Sequence, residues 1–511
     1  MINYWWVTRP KRKLNSVPEV LSTFAELSLN QQWEGQRSSH LSLEDALEQA
    51  GLKRQGERRD QGGGGARTYK AWLVSLGLIF TQETTKQIKL TLAGEAIING
   101  DSPVEVLKGQ VLKYQFPSSF SVGRGVDVST RFKIHPFMFL LKLLTDTRIG
   151  SLSQDEIANI VIVEAENETD KCYENIVQRL LDYRNFGAAV LPDDFNTVYG
   201  VAANSTNLKD VANTMMNWLD YTQLTMREDG RLYVVPERKA EVENILSKPM
   251  PFIDRPQSHE FFQRKYGIDP KHNKDTRNLS DSKTITAKML AEQQIMKAYI
   301  ALSLQRPITK INSTVVDYIV TATGLKEPLV IETLQKKYPK GSVGSFMTKY
   351  YEMAFKGRDE ATEFEKATVE LFQDVFGYQA RHVGPIGLTP DVLVLSDSDG
   401  YAGIIDNKAY SKYTISNDHH NRMVHNYING FSNYYDGALP LGFFTYIAGG
   451  FGSRIDSQIR GIVDETGVHG SVINVHNMIE LVQRYDSNTY SHSDLRKLFS
   501  VDRQILTTDF K

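Results

Sequence analysis

Apolar positions recur at helical spacing over residues 43–50, behind the run Ser42-Leu43-Glu44-Asp45, which has the composition of a helix cap. A second helix is predicted over residues 69–76, where Trp72, Leu73 and Leu76 share one face and Gly77 is placed to end it. The spacing then changes. Leu78-Ile79-Phe80 and Ile88-Lys89-Leu90-Thr91-Leu92 are short strand-like runs on either side of a polar turn at 82–86, and Thr91-Leu92-Ala93-Gly94 leads into another helix. A similar order returns downstream. Ser153-Gln154-Asp155-Glu156 has the form of a capping box opening a helix that runs to residue 162. A helix is predicted over 207–220, then strands at 223–226 and 231–235 around the turn Glu228-Asp229-Gly230.

Helices followed by a two-stranded wing are the order of a winged-helix unit, so two such units are expected, at 1–130 and 131–247. Residues 248–282 have the Pro, Asn, Asp and Lys content of a linker, and 284–304 has the Ala, Leu, Met and Gln content of a helix. These make 248–328 a linker with a helical segment. From 329 to 511 helix and strand patterns alternate. The fold class expected is multidomain α+β, with winged-helix-like domains followed by an α/β domain built on a mixed central sheet.

Composition changes this picture little. The chain has 511 residues, 41% hydrophobic and 23% charged, ordinary for a water-soluble globular protein. Its one cysteine, Cys172, excludes an intrachain disulfide and fits a reducing cytoplasm. No apolar run has the length of a membrane span, and the N-terminus has no secretory h-region. A formal net charge of −2 is unlike that of a nucleic-acid coat, so any contact with DNA has to come from local basic patches. Two are visible: Arg9, Lys11, Arg12 and Lys13, and the stretch Arg58, Arg59, Arg67 and Lys70 around glycines 62–65. His419, His420 and His425 lack the usual spacing of zinc ligands, and Gly449-Gly450-Phe451-Gly452-Ser453 lacks the Gly-Lys-Ser/Thr ending of a nucleotide loop.

The informative stretch starts with an amphipathic helix over 361–376, burying Phe364, Ala367, Leu371, Phe372 and Val375. Thr389-Pro390-Asp391-Val392-Leu393-Val394-Leu395 enters a strand through proline, and Ile404-Ile405-Asp406-Asn407-Lys408-Ala409-Tyr410 lies in a second strand after a turn. Residues two apart share a face of a strand, so Asp406 and Lys408 point one way and Asn407 the other. Asp391, at the start of the paired strand, can reach the same spot. Two carboxylates and an ammonium would then converge at a sheet end, able to hold Mg²⁺ through oxygen ligands and to stabilise developing negative charge. Asp-X-Lys alone carries little information. What adds weight is that Asp406 lies within apolar strand sequence, where a charged pair needs a reason. Glu370, on the preceding helix, is a further candidate for the same site.

These residues resemble the FokI-like cleavage domain of type IIS restriction endonucleases, a PD-(D/E)XK nuclease. The resemblance runs through Thr368-Val369-Glu370-Leu371-Phe372, Gly377-Tyr378-Gln379-Ala380-Arg381-His382, Thr389-Pro390-Asp391, Asp406-Asn407-Lys408-Ala409-Tyr410-Ser411 and Phe443-Phe444-Thr445-Tyr446-Ile447. The N-terminal half resembles the recognition region of the AlwI group, through Leu90-Thr91-Leu92-Ala93-Gly94-Glu95, Val111-Leu112-Lys113-Tyr114-Gln115-Phe116-Pro117-Ser118 and Val211-Ala212-Asn213. The resemblance implies that Asp391 and Asp406 are metal ligands, Lys408 the third catalytic residue and Glu370 a secondary one. It implies Mg²⁺ as cofactor, with Mn²⁺ able to stand in. It further implies cleavage of double-stranded DNA at a fixed distance outside a short asymmetric site, leaving 5′-phosphates, in a bacterial cytoplasm. Arg58, Arg59, Arg67 and Lys70 would contact the DNA. One such domain cuts one strand, so double-strand cleavage implies a transient homodimer. In the family that contact uses the helix after the catalytic strand, and here Asp418-His419-His420-Asn421-Arg422 departs from the pattern. A strand-specific nicking enzyme and one subunit of a two-chain nuclease therefore stay open, as does a non-catalytic winged-helix regulator.

Overall fold

The computed structural model describes residues 1–54, 63–123, 126–199, 207–279, 286–384 and 388–511. By internal contacts it divides into two units: Met1–Ala301 with Asn312–Tyr338, and Leu302–Ile311 with Pro339–Lys511. The chain is a mixed α+β protein, and among its described residues no helix is long and apolar enough to cross a membrane.

The first unit opens with helices Val17–Ser28, Arg37–Gln49 and Gly64–Ser75, followed by strands β1 (Ile79–Thr81) and β2 (Ile88–Leu90), which pair antiparallel. Two of these helices start earlier than the hydrophobic pattern predicts. Ser42 lies inside the second helix rather than capping it, because the buried face also includes His40 and Glu44. Glu44 accepts a hydrogen bond from the backbone of Ala66 at 3.0 Å and pairs with Lys53 at 3.3 Å, so a carboxylate occupies a core-facing position that a hydropathy pattern scores as surface. Gly64 and Gly65 form the first turn of the third helix. A Cβ on Gly65 would come within 2.5 Å of the Glu44 carboxylate, so the glycine makes that approach possible. Gly77 ends the helix at φ +68°, as its position predicts.

Farther along, Ser153 and Glu156 form the expected capping box, and Glu156 also bonds Arg184 at 2.5 Å and Arg231 at 2.7 Å. Helices Asp170–Phe186 and Asn207–Tyr221 follow. The short strand β3 (Leu152–Ser153) joins β4 (Thr225–Glu228) and β5 (Arg231–Val234) in a sheet of order β3-β5-β4, closed by a turn at Asp229 and Gly230, both at positive φ.

Residues 248–282, expected as a linker, contain a packed element. Helix His259–Tyr266 buries Phe262 and Tyr266 completely. The Tyr266 hydroxyl reaches the carbonyls of Ser75 at 3.1 Å and Gln110 at 2.9 Å, and the Gln263 amide donates to the carbonyl of Val74 at 3.1 Å. The polar composition belongs to the flanks. Of the helix's four buried residues, His259 and Gln263 are polar, and the two large apolar ones, Phe262 and Tyr266, four apart, make too short a pattern to stand out.

The second unit is built on a five-stranded sheet of β6 (Gln379–His382), β7 (Val392–Ser396), β8 (Tyr401–Lys408), β9 (Leu441–Ala448) and β10 (Gly470–Asn474), in the order β10-β9-β8-β7-β6. β6, β7 and β8 run antiparallel; β8, β9 and β10 run parallel. Both faces are covered, which is why β8 has seven buried residues in succession instead of alternating. Val392, Val394 and Ile405 join the core under helices Val343–Met353, Ala361–Asp374 and Val475–Arg484. Leu393, Ala402 and Ile404 join the opposite core, with Met423 to Ile428 and helix Ile455–Thr466.

The packing of residues 259–266 makes a stability prediction. Phe262→Ala should destabilise the first unit by about 3–5 kcal/mol. Native-state hydrogen exchange of the amides of helix Gly64–Ser75 reads this directly. A change within about 0.5 kcal/mol, the usual range for a surface position, would mean the segment does not pack there.

Candidate active site

The register of the β7–β8 pair brings the acidic residues together. Val392 lies opposite Ile405 and Leu393 opposite Ile404, so Asp391, one residue before β7, comes level with Asp406. Opposite residues of an antiparallel pair project from the same face, and Lys408 follows Asp406 by two on that face. Lys408 Nζ lies 2.6 Å from Asp406 Oδ2, both side chains being largely buried. Asp391 Oδ2 accepts from the backbone N–H of Asn407 at 2.7 Å. The Asn407 side chain projects from the opposite face, where its amide donates to Thr368 Oγ1 at 2.8 Å; Thr368 in turn is 2.9 Å from the Tyr350 hydroxyl. One residue thus ties the strand to helix Ala361–Asp374 while its two neighbours point into the site.

Burial, reinforced by the neighbouring Asp406 carboxylate, pushes Asp391 well above the usual aspartate range, against the pull of Lys408. Burial would lower Lys408, but Asp406, Asp391 and Glu365 outweigh it and hold the ammonium above its ordinary value. Asp406 Oδ1 is buried and has no hydrogen-bond partner among the described residues. An orphaned carboxylate oxygen beside a second, reluctantly ionised carboxylate suits a hard divalent cation, which completes its shell with water or phosphate oxygen. No group of three or more His, Cys, Asp or Glu residues able to hold a metal occurs among the described residues. His419 bonds Tyr413 at 2.9 Å and His420 bonds Glu465 at 2.9 Å.

Of the glutamates on helix Ala361–Asp374, the one whose charge reaches Asp391 and Lys408 is Glu365, not Glu370. Glu365 Oε2 lies 2.7 Å from His382 Nε2 on β6. Glu370 is raised by its own burial, and the charges that act on it are those of Arg306 and Asp374. Five residues rotate a helix by about 140° net, so the two glutamates leave the helix in different directions. The sequence pattern shows that the helix has a buried face but not which edge of that face borders the strand ends.

Tyr413, Tyr427 and Tyr446 also lie within the electrostatic reach of Asp406 and Asp391; burial first, then these carboxylates together, for Tyr413 and Tyr446, with neighbouring phenols, raises all three. His419 is lowered by burial and by Lys408. Sequence reasoning missed this wall, since nothing distinguishes these three among the chain's 24 tyrosines.

The basic candidates fall in the first unit. Arg67 is exposed on helix Gly64–Ser75, and Lys70 pairs with the Glu34 carboxylate, with its ammonium 5.9 Å from the centre of the Trp33 ring. Both line a cavity of about 370 Å³ together with Trp33, Glu34, Phe120 and His259. Arg58 and Arg59 lie outside the described residues.

Comparison with known proteins bears on both halves. Residues 324–506 match the family model of the FokI cleavage domain, and residues 74–340 match that of the AlwI restriction endonuclease. The type II restriction enzyme StsI of Streptococcus sanguinis is 24% identical over 149 residues, which are 27% of this chain and 24% of that protein, so the match spans about a quarter of the relative's length. Among solved structures, the restriction endonuclease FokI bound to DNA aligns at 15% identity over 87% of this chain and 82% of its own, with a TM-score of 0.28. The BpuJ1 endonuclease binding domain in complex with modified DNA aligns at 13% identity over 52% of this chain and 95% of its own, with a TM-score of 0.35. With a family model matched over a little more than half of its length, the chain belongs to the AlwI restriction endonuclease family.

Proposed function

We propose that this protein is a type IIS restriction endonuclease that binds a short asymmetric sequence in double-stranded DNA and hydrolyses phosphodiester bonds at a fixed distance outside it. The observation that carries this reading is the convergence of Asp391, Asp406 and Lys408 at one end of a sheet buried on both faces. In this reading the two carboxylates hold Mg²⁺, with Mn²⁺ as a substitute. When bound, the cation supplies Lewis acidity and favours ionisation of water. Asp391 and Asp406 orient that centre; the Asn407 N–H fixes the Asp391 oxygen that faces it. Lys408 stays charged among its carboxylate neighbours and presents N–H donors to the attacking water and to the negative charge that grows on the phosphoryl oxygens. Water's oxygen bonds to phosphorus, the bond to the 3′-oxygen breaks, and 5′-phosphate and 3′-hydroxyl ends remain.

Recognition is assigned to the first unit. The helices and wings around β1–β2 and β3-β5-β4 serve as two winged-helix-like domains, at 1–130 and 131–247, with Arg67 and Lys70 among the DNA contacts. The nuclease domain is 329–511, and two copies meet transiently when both strands are cut.

Plasmid digestion with Mg²⁺ and with Ca²⁺, with ends mapped by run-off sequencing, tests this. Discrete Mg²⁺-dependent cuts at one offset from a shared sequence are expected. Linear product marks double-strand cutting and nicked circles alone a nicking enzyme; no cutting of any unmodified or methylated DNA would overturn the reading. Asp406→Ala should reduce single-turnover cleavage by at least about 10³-fold and leave specific binding in Ca²⁺ intact, measured by fluorescence anisotropy. Joint loss of binding would refute the division of labour. Comparing Glu365→Gln with Glu370→Gln under the same conditions should show the larger loss of cleavage rate in the first, and equal rates would remove Glu365 from the site.

A further inference from the structure

The segment that follows Lys408 carries an array of rings that the proposed mechanism leaves unused. Tyr410 is about half exposed (49%) and stacks on Tyr413, with centroids 6.2 Å apart and planes 17° apart. Tyr413 is buried and packs on Tyr446 at 5.6 Å. Its backbone is clamped to the turn after β9: its N–H donates to the Gly450 carbonyl at 2.8 Å, and its carbonyl accepts from Gly452 at 2.9 Å. Its hydroxyl therefore has a fixed position, and it lies 2.9 Å from Nδ1 of His419. His419 is held at its backbone as well, its N–H donating to the Ser416 hydroxyl at 3.2 Å. The next residue, His420, is turned to Glu465.

This leaves His419 with one ring nitrogen engaged. Nε2 has no hydrogen-bond partner among the described residues, and the ring is joined to the site through Tyr413 and then Tyr446, which lies opposite Asp406 in the β8–β9 pair. Of the two tautomers this contact allows, the one in which the phenol donates to Nδ1 puts the ring proton on Nε2. A positioned N–H donor beside a lysine and a carboxylate pair suited to a cation has one natural partner, an anionic oxygen of the substrate.

We infer that His419 is a DNA-phosphate contact of the cutting site: its Nε2–H donates to a non-bridging oxygen of a phosphate beside the scissile bond, in the strand being cut. Tyr413 is the positioning residue that sets the ring's tautomer and orientation. The inference rests on the nuclease reading above and adds a contact to it. A purely structural role, tying the segment after β8 to the following helix, is the alternative.

The test uses the full chain with Mg²⁺ and duplexes built around the mapped cut, each with one phosphate near the cut replaced by a neutral methylphosphonate. Single-turnover cleavage by His419→Ala should fall about 10- to 100-fold, the range for a hydrogen bond to a charged group. In the wild type, one methylphosphonate should slow cleavage by a similar factor. In His419→Ala that same replacement should add nothing, while replacements elsewhere keep their full effect. His419→Gln, which retains a donor, should recover part of the rate, and Tyr413→Phe should fall between. Equal interference patterns in wild type and His419→Ala would overturn the inference even if the rate falls, as would an unchanged rate. If His419→Ala does not fold, the pattern for His419→Gln decides in the same way. If the wild type cuts no DNA, the nuclease reading itself fails and this contact falls with it.

Discussion

Two carboxylates are held together at the end of a sheet whose faces are both covered, with one ammonium against them. Removing such groups from water is costly unless their charge is answered locally. Lys408 answers part of it, lying against Asp406 Oδ2, while Asp391 takes a backbone N–H and is forced toward its neutral form. The remaining Asp406 oxygen is left without a partner among the described residues. With both carboxylates ionised, the cluster is one positive charge short. In the proposed function a cation supplies that charge, and the rest of the second unit holds the cluster still.

That support comes from the residue between the two site residues of β8. Asn407 faces the other side of the sheet and is bonded to Thr368, which is bonded to Tyr350. Strand alternation therefore does two things at once: it aims Asp406 and Lys408 into the site and uses the intervening position to lock the strand to its covering helix. The same helix sends Glu365 toward the acidic pair and Glu370 toward Arg306 and Asp374. The far wall is aromatic, with phenols that burial keeps protonated and a histidine fixed by one of them.

The first unit depends on polar contacts of a different kind. Glu44 and Glu156 are both buried, and each answers a backbone N–H as well as basic side chains. Tyr266 and Gln263, from a segment with a linker's composition, complete hydrogen bonds for carbonyls at the end of helix Gly64–Ser75 and at Gln110. Arg67 and Lys70 project from that same helix, so residues far along the chain brace the element that carries the DNA-contact candidates.

Much was legible in the sequence alone. Continuous apolar runs bounded by turn residues located β7 and β8, the capping box at Ser153 was readable from four letters, and Asp391, Asp406 and Lys408 stood out because charge interrupts apolar strand sequence. These features are local, set by backbone geometry over a few residues. Tertiary structure decided what depends on partners distant in sequence. It set the charge of Glu365 to act on Asp391 and Lys408, since helix rotation matters only once the helix has a neighbour; it buried His40 and Glu44 on a face the pattern left polar; it packed residues 259–266 against helix Gly64–Ser75. It also gathered three tyrosines and His419 around the acidic pair. Periodicity shows which residues face inward, whereas the identity of what they face is fixed only when strands pair and helices dock.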